Sequence, residues 1–147
     1  MPEYLRTKTE MQLDQDEIMA LGASLRRINQ KLLKTENFNK IIRLWYQGGE
    51  PYFDVFFDVR DNQIIWFQFT LRGKSITWDR KTVEAQTGLT YENRIESNKY
   101  PASKIIETDN DTDRSFIALA RSILLTRTDE AIFTDAIAIL TLSSQAY

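Results

Sequence analysis

Residues 53–79 read FDVFFDVRDNQIIWFQFTLRGKSITWD. Two turn signals divide the stretch. Asp61-Asn62 suits a two-residue hairpin because both residue types tolerate positive φ, and Arg72-Gly73 suits a second. The runs between them are aromatic and β-branched, so the stretch predicts three antiparallel strands. With unbroken pairing, Val59 faces Ile64, Phe57 faces Trp66 and Val55 faces Gln68. Across the second turn, Phe69 faces Ile76 and Phe67 faces Trp78. Side chains alternate between faces along a strand. One face then carries Tyr52, Phe56, Ile65, Phe67, Phe69, Leu71, Ile76 and Trp78 and reads as core, with Asp54 and Asp58 as its weak points. The other face splits into an apolar half (Phe53, Val55, Phe57, Val59, Ile64 and Trp66) and a polar half (Gln68, Thr70, Ser75 and Thr77). A bulge or a longer turn would exchange the faces of one strand. Apolar residues occupy both parities, so the question becomes what covers the second face.

Outward from this stretch the chain predicts an α+β domain: an antiparallel meander of four or five strands, one N-terminal helix and two C-terminal helices. Residues 1–13 read as a polar extension, 14–142 as a single domain and 143–147 as a tail. Asp14 and Glu17 form a capping-box pattern. Ile18, Leu21, Leu25, Ile28 and Leu32 then follow at spacings of three and four, which predicts a helix over 14–34. Gly22 inside it costs about 1 kcal/mol against Ala. Residues 38–46 (FNKIIRLWY) fit either a helix or a strand; the β-branched content and the Gly48-Gly49-Glu50-Pro51 turn favour the strand. Residues 83–91 read as a fourth strand or an irregular return, 92–101 as a loop and 103–107 as a short strand. A helix is expected over 113–126. A last helix follows, with Thr128 as its cap and Asp129 and Glu130 at its positive end.

Composition narrows the chemistry. The 147 residues are 42% hydrophobic and 27% charged, as in an ordinary globular domain. Cysteine and histidine are both absent. That excludes thiol and histidine nucleophile pairs, a histidine general base, and zinc held by His or Cys. A net charge of −2 argues against a dedicated nucleic-acid binder. No apolar run approaches the roughly 20 residues of a membrane span, and the polar start MPEYLRTKTE carries no secretory h-region. The expectation is a cytoplasmic protein with no membrane partner, no nucleic-acid partner, no metal and no cofactor.

Trp45-Tyr46, Val55-Phe56-Phe57, Asp61-Asn62, Gln68-Phe69, Gly73, Trp78 and Thr87-Gly88 together resemble the pattern of a family of small cyanobacterial and proteobacterial proteins with no assigned activity. The resemblance covers about residues 43–90, and the helical tail more loosely. The family tends to carry an apolar residue where Asp54 stands and Gly where Asn62 stands. The resemblance implies a stand-alone α+β domain and transfers no catalytic residue.

Other candidate motifs read blandly. DNDTD (109–113) starts like a calcium loop, but Arg114 stands where Gly is needed and Ala120 where the bidentate Glu belongs, which favours helix capping. Asp54 and Asp58 are about 13 Å apart along a strand, too far for a glycosidase pair. Arg72, Lys74, Arg80 and Lys81 lie near Trp66, Phe67 and Trp78, a pattern that can stack bases, but the RNP1 signature is missing. Gly48-Gly49 is a turn without phosphate-loop spacing. The stripe from Ile18 to Leu32 is too short to read as a coiled coil.

The leading expectation is a non-enzymatic binding or adaptor domain acting as a homodimer through the second sheet face, with Phe53, Val55, Phe57, Ile64 and Trp66 as anchors. The alternative is a small apolar ligand held between sheet and helices, with Gln68, Thr70, Ser75 and Thr77 supplying polar groups.

Overall fold

The computed structural model describes residues 12–28, 40–82, 84–90 and 106–144. Among them, one antiparallel sheet carries a layer of three helices. The strands are β1 (Arg26–Arg27), β2 (Ile42–Gln47), β3 (Asp54–Arg60), β4 (Gln63–Leu71), β5 (Lys74–Asp79), β6 (Gln86–Thr90) and β7 (Ile106–Thr108). They lie side by side in chain order, each antiparallel to the next. The helices are α1 (Gln15–Ser24), α2 (Arg114–Leu125) and α3 (Ala131–Ser144). The α+β class and the antiparallel meander stand, but the sheet has seven strands rather than four or five. The edge strand β7 overlaps the short strand expected at 103–107, whereas β1, two residues long, lies inside the expected N-terminal helix and was not expected.

Both hairpin turns form as their residues dictate. Asp61 and Asn62 adopt φ of 53° and 63°, and Arg72 and Gly73 adopt 50° and 85°. The pairing between them is not unbroken. Val59 faces Ile64 as expected, but Asp58 then faces Trp66, Phe57 faces Phe67 and Val55 faces Phe69. Ile65 is the extra residue, a β-bulge that shifts β4 by one position against β3. This single residue exchanges the faces of β3. Phe53, Val55 and Phe57 join Phe67, Phe69, Leu71, Ile76 and Trp78 on one buried face, while Asp54, Phe56 and Asp58 turn to the other.

The core face is an aromatic ladder. Ring centroids of neighbouring strands are 6.1 Å apart for Tyr46 and Phe57, 5.9 Å for Phe57 and Phe67, and 6.0 Å for Phe67 and Trp78. Cross-strand aromatic pairs of this kind set the stability of a sheet. The helices close over the ladder. Phe133 of α3 packs 4.7 Å from Tyr46 and 6.1 Å from Phe57, and Phe116 of α2 packs 5.9 Å from Phe69. Ile117, Ile123, Leu124, Ala136 and Leu140 complete the cover.

The first helix is shorter than its stripe. Its capping box forms: the Asp14 carboxylate accepts Glu17 N–H at 2.8 Å, and Glu17 accepts Asp14 N–H at 3.3 Å. It ends at Ser24, not at 34. The Arg127 guanidinium takes the Gly22 and Leu25 carbonyls at 3.0 and 2.6 Å, satisfying acceptors that a continuing helix would have used. The chain then pairs Arg26 with Gln47 as an edge strand. Residues 29–34 of the expected helix lie outside the described residues, as do the expected loop at 92–101, residues 1–11 of the N-terminal extension and residues 145–147 of the tail.

Of the segment 38–46, residues 38 and 39 lie outside the described residues, and Ile42 onward forms strand β2. Thr128 does not cap the last helix, which opens at Ala131 after a run of turns. The two carboxylates expected at its positive end are engaged elsewhere: Asp129 pairs with Arg127 at 2.9 Å, and Glu130 accepts the Tyr46 hydroxyl at 2.9 Å.

Candidate functional site

With the apolar residues gathered under the helices, the second sheet face acquires its own character. Pairing register places Trp45, Phe56, Gln68, Thr77 and Gln86 in one row across β2 to β6. Trp45 and Phe56 stack with centroids 5.5 Å apart and planes 15° from parallel. The Trp45 indole N–H donates to Asp54 at 2.8 Å, which fixes the ring and satisfies a carboxylate that is only 8% exposed.

The adjoining row is Arg43, Asp58, Trp66 and Asp79. Arg43 makes a forked pair with Asp58, Nε at 2.7 Å and Nη2 at 2.9 Å. The same guanidinium lies 5.2 Å from the centre of the Trp66 ring, within cation–π range. Its hydrogen bond to Asp58 pushes the Arg43 pKa up against the opposing effect of burial. A planar fork held by a carboxylate and laid over an indole is a preorganised arrangement. These residues line a cleft of about 480 Å³, whose walls also include Arg60, Arg80 and Lys81.

The expected anchors divide between the two faces. Phe53, Val55 and Phe57 are fully buried and Ile64 is 5% exposed, all within the core under the helices. They form no surface patch, because the bulge at Ile65 turns β3 over. Trp66 alone of the five lies on the second face, half-buried beside Arg43. Trp45, Phe56 and Arg43 were not among the expected anchors. The polar set keeps its face, with Thr70 and Ser75 buried and Gln68 and Thr77 half-buried. Thr70 donates to the Tyr52 carbonyl at 3.0 Å. Among the described residues, none of three surface clefts is lined by these four residues.

The basic cluster also divides. Arg72 pairs with Glu50 at 2.8 Å, and Lys74 pairs with Asp113 at 2.9 Å beneath the Phe116 ring. Only Arg80 and Lys81 remain with Trp66. The DNDTD segment serves the fold. Asp113 caps α2 by accepting Phe116 N–H at 3.1 Å, and Asp109 accepts the Thr87 hydroxyl at 2.7 Å. Burial would raise the Asp113 pKa, but hydrogen bonds from Lys74, Phe116 and Ser115 overcome it and hold the carboxyl below its usual range. These residues border a second cleft, of about 450 Å³, at the start of α2. Among the described residues no group of three or more Asp or Glu is placed to hold a metal, and no helix is long and apolar enough to cross a membrane.

The chain matches no protein-family model, no curated protein and no solved structure. The functional reading therefore rests on the second face itself.

Proposed function

We propose that this protein is a small cytoplasmic, non-enzymatic binding domain that engages its partner through the second face of the sheet and works as a homodimer. The observation that carries this reading is the stacked Trp45–Phe56 pair beside Trp66 and Arg43, half-buried on the face opposite the helices. Trp, Phe and Arg are the residue types enriched at the centres of protein interfaces, and here their geometry is preset by Asp54 and Asp58. The absence of His and Cys favours binding over nucleophilic chemistry.

Support for the dimer comes from α3. It carries one charged residue, Asp135, and leaves Leu142 73% exposed, with Leu125 of α2 43% exposed. Its exposed residues are Ala131, Ala138 and Leu142 beside Thr134 and Asp135, a more apolar outward side than the polar face a solvent-bound helix ordinarily shows. Dimerisation through the helical layer keeps the sheet face free.

Light scattering on the eluting protein at micromolar concentration tests the dimer: the expected mass is twice 17.2 kDa, and Leu142→Glu moves it to one chain. A photo-crosslinking side chain at Gln68, in the middle of the second face, tests the partner surface in the host cell. Adducts to a different protein are expected at Gln68, whereas Asp135, on the helical layer, is expected to give only adducts between two copies of this chain. Foreign adducts at Asp135 but none at Gln68, or a monomer at every concentration, contradict the corresponding part of the reading.

A further inference from the structure

The cleft beside Trp66 has a charge balance unlike the rest of the molecule. Arg43, Arg60, Arg80 and Lys81 face Asp58 and Asp79, an excess of two positive charges on a chain whose net charge is −2. Both carboxylates are already engaged. Asp58 is neutralised by the Arg43 fork, and Asp79 accepts the Lys81 backbone N–H at 2.7 Å. Among the described residues the Arg80 guanidinium reaches only the neutral Gln63, at 2.6 Å. Arg60 and Lys81 are exposed and have no ion-pair partner among the described residues. The cations thus converge on a concave space with the Trp66 ring beside it.

We infer that this cleft binds a small, multiply charged anion of the phosphate class. A volume of about 480 Å³ falls within the range of small-ligand sites, roughly 300–1,000 Å³. Guanidinium and ammonium groups around a concavity are the donors that phosphate oxygens take up with charge-assisted hydrogen bonds. A nucleic-acid strand or an acidic peptide would need the basic track to continue. The next row of the face, Trp45, Phe56, Gln68 and Thr77, carries no positive charge. The cleft shares Arg43 and Trp66 with the proposed partner surface, but anion binding is read on the isolated chain and can fail without the partner reading failing.

Calorimetric titration of the full chain with inorganic pyrophosphate and with adenosine monophosphate tests it. Saturable one-to-one binding of at least one probe is expected, weakening as salt is raised. Tighter pyrophosphate binding identifies a free polyphosphate as the ligand type; tighter mononucleotide binding identifies a phosphate ester with a ring. The double variant Arg60→Gln/Lys81→Gln removes two exposed charges and is expected to weaken binding about tenfold or more, the equivalent of losing one charge-assisted hydrogen bond. Arg80→Gln provides the same test at a third position, and Arg72→Gln, held by Glu50 away from the cleft, leaves binding unchanged. Absence of saturable binding by either probe, affinity undiminished in both cleft variants, or a single-stranded oligonucleotide binding more tightly than both probes would overturn the inference.

Discussion

Tyr46 shows how one polar atom is accommodated inside the aromatic ladder. Its ring is 1% exposed between Phe57 and Phe133, and its hydroxyl donates to Glu130, 84 residues away in the chain. Burial, and then the bond to Glu130, push the phenol pKa up to about 12. The unfolded phenol titrates near 10. Folding therefore favours the protonated form, and the stability this contributes is complete below pH about 10 and is lost as pH rises toward 12. Urea unfolding at pH about 9 and about 11 checks this: the native chain loses more stability over that interval than Tyr46→Phe does. At neutral pH the variant is less stable by about 1 kcal/mol, the net value of one hydrogen bond. An equal pH dependence in both proteins would exclude the buried phenol as the source.

At the scale of elements, Gly22 explains itself only in the assembled fold. The sequence marks it as a weak point of α1, and helix propensity alone says that Ala would stabilise by about 1 kcal/mol. In the structure a Cβ at this position would overlap the Thr126 hydroxyl and stand 3.0 Å from the Ile123 carbonyl oxygen. Thr126 cannot readily yield, because its hydroxyl is bonded to that same carbonyl at 2.7 Å. Overpacking of this kind costs about 1–3 kcal/mol. Gly22→Ala is accordingly expected to lower Tm by a few degrees in a thermal melt, and a rise would mean that α1 does not lie against the end of α2. The contrast with the hairpins shows what was legible. Asp61-Asn62 and Arg72-Gly73 specify their turns locally, so both appear where the sequence puts them. The Ile65 bulge has no comparable local signature, since Ile64, Ile65 and Trp66 are apolar at either parity. A signal was present one strand away: Asp54, Phe56, Asp58 and Arg60 share a parity, and three charges among four residues mark a wet face. Read by itself, β3 would have placed Phe56 outside and Phe57 inside, against the register that unbroken pairing imposed. The early end of α1 depended on Arg127, about a hundred residues away, which no local reading supplies.

For the whole molecule, the bulge converts a sheet that looks greasy on both sides into one with a buried face under the helices and a mixed, partly exposed second face. Among the described residues, twenty-two apolar side chains form one buried cluster between sheet and helices. On the other side, Trp45, Phe56 and Trp66 remain half-buried, Trp45 bonded to Asp54 and stacked on Phe56, and Trp66 beside Arg43. Both functional proposals for the sheet depend on this division, because the partner surface and the anion cleft are built from residues that the register turns outward. Trp66 was legible as a candidate, whereas Trp45 and Arg43 became candidates only when β2 was paired against β3 and brought beside Asp54 and Asp58. Hydroxyl-radical footprinting of the intact protein, read residue by residue, measures the division directly. The account predicts labelling at Trp45, Phe56 and Trp66 and protection at Phe53, Phe57, Phe67 and Phe69. Labelling of Phe53 and Phe57 with protection of Phe56 would contradict it, since that pattern requires the unbroken register without the bulge.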